Sequence, residues 1–390
     1  MKSLFSNLLF KVFVAIVLGM VFGLYMPEWF NRIFATFNAL FGQFLSFAIP
    51  LIIMGLIMPA ISDLGKGAGK LLLLTAGIAY GSTLFSGFMT YFAASGIFPS
   101  LLESHVNSAN EVAESTKALS PYFSISIPPI LDVMSALVLA FMVGLGLSFQ
   151  EKSTLKTAVK DFQIIIMQVI ENLIVPLLPL FILGIFANMA FSGQVFEILS
   201  VFLNIIGVIF ALHILLLLVQ YFVAGIIVKR NPLRLLATMM PAYFTALGTQ
   251  SSAATIPVTL IQTEKNGVPE KVAGFVIPLC ATIHLSGSTM KITACAMALM
   301  ILEGVPFDLT LFAGFIFMLG IAMVAAPGVP GGAIMAAIGI LQAMLGFNEE
   351  MIGLMVALYI AMDSFGTACN VTGDGAIALV VNKLTGETKS

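Results

Sequence analysis

Asp363, Thr367, Asn370 and Asp374 stand four, three and four residues apart in the stretch MDSFGTACNVTGD, 362–374, inside the last long apolar segment. A helix aligns residues at that spacing on one face. A carboxylate in hydrocarbon is costly, so two in one apolar segment read as an ion or substrate site, the alternative being a structural pair of salt-bridged acids. Gly366, on the same face, and Gly373, before the second acid, leave room beside the carboxylates. Asp363 can hold an ammonium.

The elements that position this stripe are membrane helices. The chain has 390 residues, 59% hydrophobic and 9% charged, with a mean hydropathy of +1.08. Soluble domains carry about a quarter charged residues, and the apolar runs are too continuous for the alternation of a β-barrel. An all-α polytopic membrane protein is expected, embedded in the lipid bilayer. The net charge of -2, without a basic tail or patch, gives no sign of a nucleic acid partner. Cys280, Cys295 and Cys369 fall in apolar segments without metal-ligand spacing and predict free buried thiols. Lys2, Lys11 and the apolar run to Tyr25 imitate a signal peptide, but no small-residue cleavage site follows, and a first span is expected instead.

Charged and Gly/Pro punctuation divides the first half into spans near 7–27, 37–62, 70–98, 121–148, 161–191 and 195–228. The second half is interrupted. The apolar stretch 235–263 breaks at Gly248-Thr-Gln-Ser-Ser252, the span 272–302 at 282–288, and the stretch 310–347 at 326–332, before a last span near 351–380. If 235–263 and 310–347 are re-entrant hairpins and the other eight segments cross, with both termini cytoplasmic, twelve Lys and Arg residues from Lys66 to Lys389 fall inside. Arg32 and Lys117 fall outside, where the loop 99–120 carries Glu103, Glu111 and Glu114. That is the bias the positive-inside rule demands. Unwound backbone within a membrane is tolerable where it lines a site; its N–H groups suit a carboxylate and its carbonyls a small cation. Donors for a carboxylate beside one acid for an ammonium suit an α-amino acid.

The segments TQSSAATIPVTL (249–260), ATIHLSGS (281–288), PGVPGG (327–332) and DSFGTACNVTGD (363–374) resemble the dicarboxylate/amino acid:cation symporter family, which includes glutamate transporter homologues. The likeness is specific over about 240–383 and looser before it. It implies a glutamate-transporter-like fold of eight spans and two hairpins with inverted repeats, in a homotrimer at a bacterial or archaeal-type inner membrane. It further implies a scaffold, 1–63 and 121–234, and an elevator-like transport domain, 64–120 and 235–383. Residue by residue, it places a substrate ammonium on Asp363, with Thr367 and Asn370 as neighbours, the α-carboxylate at Ser251 and Ser252, and Ser288, Val329, Gly331 and Gly366 around the substrate. Sodium would lie at Asp374 and Asn370, with His284 and Ser286 in a departing version of the family's asparagine-methionine-aspartate-glycine-threonine break.

Acidic-substrate members carry an arginine one residue before the threonine of the last helix, which forks onto the side-chain carboxylate. Here that residue is Gly366, and Gln250 stands where several relatives have an arginine on the first tip. A neutral amino acid is therefore expected, with a pocket enlarged at Gly366; an acidic substrate survives if another cation reaches it. Ser286 replaces the break's aspartate, and Thr75, Ile78 and Ala79 align loosely with the partners of a third sodium site, which is expected to be lost. Lys291 sits twelve residues before Glu303, about 18 Å along a helix and far for snorkelling. It is expected to act as an internal cation, paired with Asp374 or a carbonyl cage, the alternative being a lysine facing a wet cavity or polar interface. His284 reads as a neutral hydrogen-bonding ring, or as a group that adds proton dependence. Asp132 and Glu171 are assigned scaffold or interface roles, and His213 packing.

The reading is a sodium-coupled symporter of neutral amino acids. The alternatives are a proton-coupled or sodium-independent exchanger, a substrate-gated channel, and an intramembrane enzyme, for which no Ser or Cys has an obvious partner.

Overall fold

A computed structural model describes residues 8–63, 70–113, 119–150, 153–193, 195–326 and 330–386. Among them the secondary structure is helical, in fifteen α-helices in chain order. The first seven are α1 (Leu8–Tyr25), α2 (Glu28–Asp63), α3 (Lys70–Ala113), α4 (Val133–Ser148), α5 (Thr154–Val169), α6 (Val175–Phe191) and α7 (Val195–Val228). A π turn, Ile170–Ile174, joins α5 to α6 and carries an exposed Glu171. The second half consists of α8 (Pro232–Thr249), α9 (Ser252–Lys265), α10 (Glu270–Ile283), α11 (Ser286–Leu302), α12 (Leu309–Ala325), α13 (Gly332–Leu345), α14 (Glu349–Ala361) and α15 (Asp363–Thr385).

Each apolar segment expected to be interrupted is a pair of helices broken at the expected residues: α8 and α9, α10 and α11, α12 and α13. The last span is broken too, with α14 and α15 bent by 61° at Met362. Among the described residues six helical stretches are long and apolar enough to cross a membrane, or seven with that bent pair counted as one.

The expected span 121–148 is corrected. Helix begins only at Val133, because Pro121, Pro128 and Pro129 lack amide donors and hold the residues before them extended. Asp132 caps α4, its Oδ1 accepting from the Ser135 amide at 2.9 Å. The 16 residues of α4 reach about 24 Å, short of a 30 Å core.

Two glycines bring α1 against α6. A Cβ on Gly19 or Gly23 would lie 2.5 or 2.3 Å from the carbonyl oxygens of Leu183 and Ala187. The larger apolar core joins α2, α4 and α6 to α11–α14, and a second gathers Tyr221, Leu235, Met239, Val272, Val276 and Val371. α11 is buried on every side from Ser286 to Met300. A helix buried all round meets other protein on its polar face as well.

Candidate functional site

Two hairpin tips end on adjoining residues at the start of α15. At the first, Gln250 takes a left-handed conformation, φ +54°, where α8 ends, and its Nε2 donates to Ser364 Oγ at 2.9 Å. Ser251 caps α9, its Oγ accepting from the Ala254 amide at 3.3 Å, and Ser252 is buried behind it. At the second, Gly331 turns the chain into α13 with φ +77° and donates its N–H to Asp363 Oδ2 at 2.9 Å. Val329 lies outside the described residues. The first tip therefore sits on Ser364 and the second on Asp363.

The break between α10 and α11 docks about two turns further along α15. Gly287 N–H donates to Asn370 Oδ1 at 2.7 Å, and Asn370 Nδ2 donates to Ser288 Oγ at 3.2 Å. Ser86 Oγ donates to the Ser286 carbonyl at 2.8 Å, and His213 Nε2 to the Gly287 carbonyl at 3.1 Å. His213, expected to pack, thus also hydrogen-bonds to the first turn of α11. Tyr359 reaches Ser288 Oγ at 3.1 Å. Thr367 is buried on the same face of α15, between Asp363 and Asn370.

Asp363 is only 4% exposed, and its second oxygen, Oδ1, lies 3.2 Å from Lys291 Nζ. Lys291 is fully buried; its ammonium also lies 3.4 Å from the Met362 carbonyl and 3.6 Å from the centre of the Tyr359 ring. Two expectations are corrected here. Lys291 pairs with Asp363, not Asp374, and faces neither a wet cavity nor an interface. Nor is the space beside Gly366 open: a Cβ there would lie 2.5 Å from Lys291 Cε and 2.6 Å from Nζ. The missing side chain makes room for the lysine.

Asp374 instead meets His284, whose Nδ1 lies 2.8 Å from Asp374 Oδ1 and whose Nε2 lies 3.0 Å from Ser82 Oγ. Gln220 Nε2 donates to Ser82 Oγ at 3.0 Å and to Ser286 Oγ at 3.2 Å. Against an ionised carboxylate Nδ1 carries the proton, so Nε2 of a neutral ring accepts from the Ser82 hydroxyl, which in turn accepts from Gln220. A mostly apolar cavity of about 300 Å³, lined by Ile78, Phe85, Val219, Val223, Ile377 and Val380 with Ser82 and Gln220 as its polar side chains, adjoins this chain of hydrogen bonds. The four residues expected around sodium, Asp374, Asn370, His284 and Ser286, thus share one neighbourhood. The Thr75 hydroxyl donates to the Leu71 carbonyl, one turn back in its own helix, at 2.7 Å.

Sequence reasoning missed Ser82, Ser86, Gln220 and Tyr359. Gln220 offered a signal: it and His213 are polar residues seven apart in an apolar helix, hence on one face. Tyr359, an aromatic in an apolar run, offered none. α7, grouped with the scaffold on sequence, sends His213, Gln220 and Tyr221 into this core, the Tyr221 hydroxyl donating to the Thr372 carbonyl at 2.7 Å.

The profile of the sodium:dicarboxylate symporter family matches residues 8–384. The chain is similar to the serine/threonine transporter SstT of Acinetobacter baylyi, 25% identical over 393 residues that cover 97% of each chain. It is 26% identical to the SstT of Acinetobacter baumannii over 94% of each chain. A third relative is the human excitatory amino acid transporter 2, 29% identical over 264 residues, 65% of this chain and 45% of the human one. With a match over nearly its whole length, and with broken helices meeting at a buried carboxylate, the chain belongs to the sodium:dicarboxylate symporter family, a family of transporters rather than enzymes.

Proposed function

We propose that the protein is a sodium-coupled symporter of small neutral amino acids, working by elevator-type alternating access. The observation that carries the reading is Asp363, a buried carboxylate with a hairpin amide on one oxygen and the Lys291 ammonium on the other. A substrate ammonium docks on Asp363, and its α-carboxylate takes the donors of the first tip at Ser251 and Ser252.

Charge bookkeeping selects the substrate class. Lys291 is a cation at the pocket, the condition under which an acidic substrate stayed open. Its charge is matched by Asp363, however, so a zwitterion leaves the pocket neutral. Aspartate or glutamate would bury one unmatched negative charge, at a cost of about several kcal/mol. The filled space beside Gly366 favours serine, threonine and alanine over leucine and phenylalanine, and the likeness to serine/threonine transporters supports the same choice.

Sodium, as co-transported ion, would use the Asp374 carboxylate with oxygens near Asn370 and Ser286, and His284 would have to share Asp374 with it. A second reading has one observation in its favour. The chain from Asp374 through His284 to Ser82 beside a cavity suits a proton instead of a metal ion.

The moving unit would comprise 64–120 and 235–383, and α7 with them, since its buried polar side chains bond to α3, α11 and α15. The scaffold would be 1–63 and the remainder of 121–234, assembled as a homotrimer in the inner membrane with both termini cytoplasmic.

Uptake of labelled serine, threonine, alanine, leucine, phenylalanine and aspartate into proteoliposomes tests the reading, with and without an inward sodium gradient. Sodium-driven uptake of serine, threonine and alanine is expected, with aspartate excluded. Uptake driven by a proton gradient and indifferent to sodium would select the second reading; aspartate uptake would contradict the charge argument.

A further inference from the structure

The Lys291–Asp363 pair has features that substrate binding alone does not call for. With Lys291 on Oδ1 and the Gly331 amide on Oδ2, both oxygens of Asp363 have partners from the protein itself. The ammonium sits against the helix backbone, where a Gly366 Cβ would be, beside the carboxylate that a substrate ammonium needs. It also keeps two partners besides Asp363, the Met362 carbonyl and the face of Tyr359, so it can release the carboxylate without losing all compensation.

We propose that Lys291 is a tethered stand-in for the substrate ammonium, which neutralises Asp363 in the empty carrier and lets it cross the membrane unloaded. The inference rests on Asp363 being the ammonium site. An arriving amino acid takes Oδ1, and the lysine falls back on Tyr359 and Met362. After release the lysine returns to Asp363. Without it, the empty carrier would carry a lone buried carboxylate across the membrane, and turnover would depend on a second substrate for the return step. Lys291 thus sets the protein up for net uptake rather than obligatory exchange. It is a positioning residue with respect to Asp363 and competes with the substrate.

The test uses full-length protein in proteoliposomes with labelled L-serine, comparing net uptake into empty vesicles with exchange into vesicles preloaded with serine. Wild type should perform both. Lys291→Met should lose net uptake by about tenfold or more, as expected when a buried pair is broken, while exchange persists and the half-saturating serine concentration falls. Gly366→Ala, which drives a methyl group into the lysine without removing its charge, should shift the ratio the same way. It carries the test if Lys291→Met is inactive in both modes. Parallel loss of net uptake and exchange in both variants, or weaker serine affinity with an unchanged ratio, would overturn the proposal. A wild type that transports no serine in either mode would instead overturn the substrate reading beneath it.

Discussion

Gly366 and Lys291 share one volume, and that coincidence decides the chemistry of the site. The acids on α15 were legible because a period of four, three and four residues in an apolar run has few other uses. The partner of Lys291 was not, because burial in the middle of α11 leaves every direction open and only packing selects Asp363 over Asp374. Asp363→Asn would keep the shape but strand the buried ammonium, a loss of about 3–5 kcal/mol when a buried pair is broken. Serine uptake should fall to background and the thermal midpoint should drop. Tyr359 separates two roles. Tyr359→Phe removes one hydrogen bond, to Ser288, worth about 1 kcal/mol, and should change the half-saturating serine concentration a few-fold. Tyr359→Leu also removes the ring face beneath Lys291, about 2 kcal/mol or more for a desolvated pair, and should cost clearly more stability. Equal melting temperatures for the two variants would contradict the cation–π contact.

At the scale of the element, the site exists because helices stop inside the protein. Ser, Gly and Pro clusters announced the breaks at 248–252, 282–288 and 326–332, and broken helices are found at all three. The proline-rich 121–132 reads as span on sequence, since its apolar content masks the missing amide donors. The break after His284 depends on Gly287: a Cβ there would lie 2.7 Å from the Gly366 carbonyl oxygen and 2.9 Å from Cys369 Cβ. Neither neighbour is the end of a flexible side chain. Gly287→Ala should therefore force α11 off α15, disturb the Asn370 contact and cost about 1–3 kcal/mol. Gly274→Ala in α10 is the control, because its Cβ would meet nothing within 4 Å and a helix interior favours alanine by about 0.5–1 kcal/mol. Heat denaturation of the two variants should move in opposite directions; equal shifts would contradict the close packing of α11 on α15.

For the whole molecule, the all-helical membrane architecture followed from composition alone, whereas the grouping of helices did not. Polar residues in α7 could have faced a partner subunit as easily as the core, and only their hydrogen bonds distinguish the two. α13 packs on α2, where a Cβ on Gly339 would lie 2.4 Å from Ile49 Cγ2. If α13 moves with the transport unit past α2, a cysteine pair at Ile49 and Gly339 should block serine uptake when oxidised and release it on reduction. Undiminished uptake by the cross-linked protein would contradict an elevator across that interface. The central claim is that this pocket takes an ammonium on Asp363 and has no charge left for a second carboxylate. Its most direct test is competition against labelled L-serine uptake by unlabelled L-serine, L-aspartate and 3-hydroxypropanoate, which is serine without its ammonium. The account predicts inhibition by L-serine alone; inhibition by 3-hydroxypropanoate or L-aspartate at comparable concentration would contradict it.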